Sequence, residues 1–151
     1  MRKSTKLKKI LLILIIVLST GCTSHKKNHT KVVKKIEIFY FYIEDCQSCY
    51  MTNKYCINVL KKDYSECITL KKYNLDDESI KNIYDEEISH LDKDVKNNHY
   101  GEAPLIIVKD NYALLGLGSD YFNDFIDDIY NLAHDNNEKT NFDSFKIKYI
   151  E

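Results

Sequence analysis

Lys35–Cys49 reads KIEIFYFYIEDCQSC. The first nine residues, Lys35–Ile43, are β-branched and aromatic with apolar side chains at odd and even positions alike, the pattern of a strand covered on both faces. The last four, Cys46-Gln47-Ser48-Cys49, follow directly and open a segment in which Cys49, Cys56, Val59 and Leu60 keep helical spacing through Lys62. A buried strand that delivers two cysteines to the start of a helix is the feature around which the rest is read.

Downstream, Cys67–Leu75 reads as a second strand. Asp76–Val95 carries Ile80, Ile83, Tyr84, Ile88, Leu91 and Val95 on one stripe, with Asp76, Asp77 and Glu78 favourable at a helix start. Pro104, the single proline of the chain, opens the run Leu105–Lys109; Asp110-Asn111 is a turn signal, and Tyr112–Leu115 returns as the second arm of a hairpin. Ser119 or Asp120 is placed to cap a last helix with Phe122, Phe125, Ile126, Ile129 and Ala133 in register. The order is β-α-β-α-β-β-α, an α/β fold with a central mixed sheet flanked by helices on both faces. The domain is expected over residues 35–136. Residues 137–151 follow as a C-terminal tail or edge strand, because Phe145, Ile147 and Tyr149 alternate with polar residues.

Upstream, five basic residues (Arg2, Lys3, Lys6, Lys8, Lys9) precede nine consecutive apolar ones, Ile10–Leu18. That is signal-peptide anatomy, and nine residues fall well short of the ~20 that span a bilayer. The junction Leu18-Ser19-Thr20-Gly21-Cys22 resembles the lipobox of bacterial lipoproteins, with Ser19 where leucine is more usual. The resemblance implies a signal peptide over 1–21 and lipidation of Cys22, which would hold the chain at the extracytoplasmic face of the cell membrane through acyl chains. Residues 22–34 read as the lipidated cysteine and a flexible tether, whose His25 and His29 are taken as solvated linker residues rather than metal ligands.

The chain has 151 residues, 22 Lys and Arg against 23 Asp and Glu, and 44% hydrophobic residues, so global disorder is excluded. Without residues 1–21 the balance is 17 basic against 23 acidic residues, a net charge of −6 over 130 residues, which gives a nucleic-acid partner no support.

At the start of a helix the sulfur of Cys46 faces unpaired N–H groups and the positive end of the dipole, which favour the nucleophilic thiolate. Cys49, one turn on, can then resolve a mixed disulfide at Cys46. Zinc and iron–sulfur readings are weaker: there is no second CxxC, Cys56 and Cys67 are spaced unlike a zinc ribbon, and Tyr50 excludes a CxxCH haem signature. No metal or cofactor is expected.

From Lys35 to about His134 the chain resembles the thioredoxin-like family, on the strand, the Cys46/Cys49 motif at a helix start, and Ala103-Pro104 opening a hairpin. The resemblance implies that Pro104 is cis and packs against the CxxC, and that Ala103 and Pro104 hold an extended substrate. It also implies protein thiols and disulfides of the cell envelope as partners, with a membrane electron donor of unknown identity. The departures are specific. Asp45, after Glu44, replaces the aromatic residue before the first cysteine; Tyr40 stands where a thioredoxin carries a buried acid; and Gln47-Ser48 matches neither thioredoxins nor strong oxidants. Two carboxylates beside Cys46 oppose the helix dipole and disfavour its thiolate, which points to a reductase or isomerase rather than an oxidant. Cys56 and Cys67 are expected to form a structural disulfide outside the cytoplasm. His90, His99 and His134 have no acid or thiol partner visible in the sequence and are read as surface residues. The alternative function is a redox-inert lipoprotein that binds a peptide, a metal or a partner protein, with Cys46–Cys49 as a structural bridge.

Overall fold

The computed structural model describes residues 31–136 and 140–150. The expected signal peptide (1–21), Cys22, His25 and His29 lie outside the described residues. The described residues belong to one compact unit. Part of the expected tether belongs to that unit: the N–H groups of Val33 and Lys34 donate to the Ala133 carbonyl at 2.9 and 3.2 Å.

The fold is mixed α/β. Five strands, β1 (Ile36–Tyr42), β2 (Ile68–Asn74), β3 (Leu105–Val108), β4 (Tyr112–Leu115) and β5 (Ile147–Lys148), form one sheet in the order β2-β1-β3-β4-β5. β1 runs parallel to β2 and antiparallel to β3, and the remaining pairs are antiparallel. Because side chains alternate along a strand, Ile36, Ile38 and Tyr40 of β1 enter one core and Phe39 and Phe41 the other. That alternation is why both halves of KIEIFYFYI are apolar.

The first core is closed by α1 (Gln47–Thr52), a π-helical turn (Asn53–Ile57), α2 (Asn58–Asp63) and α5 (Phe122–Ala133), through Cys56, Ile57, Leu60, Phe122, Phe125, Ile126 and Ile129. The second is closed by α3 (Lys81–Ser89) and α4 (Lys93–Asn98), through Tyr84, Ile88 and Val95. Burial of each such side chain stabilises the fold by about 1.5–3 kcal/mol.

Four expectations need correction. The single helix expected over Asp76–Val95 is a 3-10 turn (Glu78–Ile80) followed by α3 and α4. Between these helices the His90 carbonyl accepts the Ile150 N–H at 2.6 Å and Leu91 bridges Tyr149, so the break gives the C-terminal segment a partner. Neither Ser119 nor Asp120 caps α5. They form a 3-10 turn, and Tyr121 occupies the cap position without a side-chain bond. The Cys56–Cys67 disulfide is not formed: both are free, buried thiols in the first core, where each packs as a small apolar side chain. Two of the histidines depart from the surface reading, His99 through an acid partner and His134 through burial. His99 Nδ1 lies 3.1 Å from Glu102 Oε1, the His134 ring packs on Tyr130 with Nδ1 2.7 Å from that residue's carbonyl, and His90 stacks on Tyr149. Within 137–151, the described residues supply the edge strand, Ala113 pairing with Ile147 and Tyr112 with Lys148.

Candidate active site

The polypeptide leaves β1 at Tyr42 and turns through Ile43-Glu44-Asp45. Asp45 has φ 54°, a left-handed conformation that aspartate tolerates better than most residues. The Glu44 N–H donates to Asp76 Oδ2 at 3.0 Å and the Asn74 amide donates to Glu44 Oε1 at 3.3 Å, which ties the turn to the end of β2. Glu44 and Asp45 are both exposed.

Cys46 then occupies the cap position of α1 with extended backbone (φ −97°, ψ 112°), and its sulfur accepts the Cys49 N–H at 3.1 Å. A sulfur in this role faces a helix N-terminus, as the strand–CxxC–helix order implied. The structure pairs Cys46 with Cys49 as a disulfide, Cα to Cα 5.2 Å. Cys46 is half-buried, whereas Cys49 is 3% exposed. The pair is therefore asymmetric: one cysteine is partly open to solvent and the other is covered.

Under the motif sits Tyr40, fully buried, whose hydroxyl donates to the Cys49 carbonyl at 2.7 Å. The same carbonyl also accepts the Asn53 N–H. Burial pushes the Tyr40 phenol far above its ordinary range, so it stays a neutral donor at physiological pH. Burial likewise pushes the Cys56 thiol up to about 12 and raises that of Cys67, with Glu66 adding to the second shift. Both are kept as thiols and out of exchange chemistry.

Two concavities lie beside the start of α1. One, of about 590 Å³, is lined by Tyr42, Asp45, Cys46, Cys49, Tyr50 and Lys72, among others. The other, of about 240 Å³, lies between Gln47, Ser48 and Met51 of the CxxC segment and the loop Gly116–Ser119. The expected substrate-holding pair is at this end of the sheet. Ala103-Pro104 is a cis peptide bond, and the β1/β3 register, with Phe41 opposite Leu105, sets it beside the end of β1. The buried Pro104 carbonyl accepts the Gly116 N–H at 2.9 Å, joining the proline to the loop of the second concavity. Gly116 has φ 65°, where a side chain would be strained.

Sequence reasoning did not find Tyr40 as a hydrogen-bond donor to the motif, nor Lys72 and Asn53 in the larger cleft. The signal for Tyr40 was the alternation of β1. For Lys72 the signal is the β1/β2 register, Tyr40 opposite Lys72, which no local pattern encodes. Among the described residues no three His, Cys, Asp or Glu side chains converge as a metal site, and no helix is long and apolar enough to cross a membrane. Comparison of the chain with family models, with curated proteins and with solved structures gave no match.

Proposed function

We propose that this chain is a thiol–disulfide oxidoreductase of thioredoxin-like fold, of reductase or isomerase type, anchored by lipid on Cys22 at the extracytoplasmic face of the membrane. The observation that carries the reading is the asymmetric Cys46–Cys49 pair at the start of α1, a partly exposed cysteine three residues ahead of a covered one. The cis Ala103-Pro104 bond at the same end of the sheet supports it.

In the reductive direction the Cys46 thiolate attacks one sulfur of a substrate disulfide. The substrate S–S bond breaks, a Cys46–substrate disulfide forms, and the first substrate thiolate leaves and takes up a proton. Cys49, deprotonated, then attacks the Cys46 sulfur; the mixed disulfide breaks, the second substrate thiolate leaves, and the Cys46–Cys49 disulfide remains. Two electrons have passed from the dithiol to the substrate, and an external dithiol, supplied by an electron-donating partner, restores the reduced pair by the reverse steps. Tyr40 holds the Cys49 carbonyl, and with it the start of the helix, while the sulfurs change partners. The exposed carboxylates of Glu44 and Asp45 disfavour the Cys46 thiolate, which sets the pair toward reduction rather than oxidation of substrates.

Trapping tests this reading. Cys49→Ser is expected to accumulate a mixed disulfide on Cys46 when incubated with disulfide-containing envelope proteins, and Cys46→Ser to accumulate none. Absence of any adduct on Cys46, with the native disulfide resisting mild reduction, would favour a redox-inert binding lipoprotein instead.

A further inference from the structure

Lys71 and Lys72 are neighbours on β2, and alternation sends them to opposite faces of the sheet. Lys71 is satisfied: its ammonium lies 2.6 Å from Glu37 Oε1. Lys72 is not. Its Nζ donates to the neutral side-chain carbonyl of Asn53 at 2.7 Å and rests over the rings of Tyr42 and Tyr40 at 5.4 and 5.8 Å. Among the described residues no carboxylate lies within ion-pair distance of it, although Asp45 lines the same cleft. An ammonium has three donors, and Asn53 uses one.

This lysine lines the 590 Å³ cleft together with Cys46 and Cys49. A disulfide approaching Cys46 from that side therefore brings whatever is attached to its sulfur toward an ammonium that has no carboxylate partner among the described residues and rests over the Tyr40 and Tyr42 rings. The group that completes such a site is a carboxylate, which accepts a charge-assisted hydrogen bond from the free ammonium donors.

We propose that the Lys72 cleft is a substrate subsite for a carboxylate carried next to the reacting sulfur, so that the preferred substrates are anionic disulfides. The carboxylate belongs either to a small disulfide or to an acidic residue beside a cysteine of a protein substrate. The proposal rests on the oxidoreductase reading above and names the substrate class of that site. Burial, with the Lys61 charge added, lowers the Lys72 ammonium below its ordinary range, in keeping with a cation that lacks its anion.

The test is the rate at which Cys46 of the reduced full chain reacts with two aromatic disulfides, one bearing carboxylates and one a neutral pyridyl disulfide. Two peptide disulfides with Asp or Asn beside the cysteine form a second arm. Each is measured in the wild type and in Lys72→Gln, Lys72→Arg and Lys54→Gln. The carboxylate-to-neutral rate ratio is expected to fall about tenfold in Lys72→Gln, the size of one charge-assisted hydrogen bond. It should be largely kept in Lys72→Arg and change less than about twofold in Lys54→Gln, whose lysine rests on Tyr50 and Tyr55 at the surface. A ratio that falls in the small-molecule arm only identifies the small disulfide as the source, and one that falls in the peptide arm identifies the acidic residue. An unchanged ratio in Lys72→Gln in both arms, or an equal fall in Lys54→Gln from general charge steering, overturns the subsite while leaving the oxidoreductase intact. If no disulfide, neutral or charged, reacts at Cys46 of the wild type, the oxidoreductase reading fails and the subsite falls with it.

Discussion

Tyr40 shows how one side chain couples the core to the candidate site. Its ring is buried in the first core and its hydroxyl holds the Cys49 carbonyl, so Tyr40→Phe removes a hydrogen bond without opening a cavity. Because the Asn53 N–H still reaches that carbonyl, the loss is expected near 1 kcal/mol rather than the 1–3 kcal/mol of an orphaned group, measured by urea unfolding. Cys56 yields a pH prediction. Its thiol is raised from 9.0 to about 12, so the native state keeps a proton that the unfolded chain gives up. Below pH 9 both states are protonated and the group is neutral to stability. Between pH 9 and 12 stability falls with rising pH, by up to about 1.4 kcal/mol per unit. Cys56→Ala should make that alkaline decline shallower in pH-dependent unfolding, and an identical slope would remove Cys56 as a contributor.

At the scale of the elements, the C-terminal segment is fastened by charge as well as by β5. Asp128 of α5 is buried; it accepts the Tyr112 hydroxyl, and the Lys146 ammonium at 2.9 Å, which also reaches Asp143 at 2.7 Å. Lys146→Met leaves Asp128 without its cation, and the expected cost is about 1–3 kcal/mol by thermal or urea unfolding. The same ammonium sits 4.4 Å from the Tyr112 ring centre, so methionine retains the packing and the loss reports mainly the charge. In α5 itself, Phe125 is wholly buried, and Phe125→Ala is expected to cost about 3–5 kcal/mol.

Across the whole molecule, the sequence was most legible where period and burial coincide. β1, the β3/β4 hairpin and the apolar stripe of α5 announce themselves, because each carries its own core-facing pattern. The CxxC at the helix start was legible because strand and motif are contiguous. What stayed hidden depends on partners distant in sequence. The break after α3 answers to Ile150, Lys72 reaches the site only through its register against Tyr40, and Cys56 and Cys67 stand as free thiols within the first core, where their neighbours come from several elements. Whether Cys46 and Cys49 form a reversible redox couple is decided by a glutathione titration with thiol trapping. A two-electron transition is expected, lost in Cys46→Ser and in Cys49→Ser, with a potential nearer to roughly −270 mV than to the roughly −120 mV of a strong oxidant. A pair that does not titrate against glutathione would overturn the oxidoreductase reading, and one poised at the oxidising end would overturn the reductase or isomerase direction.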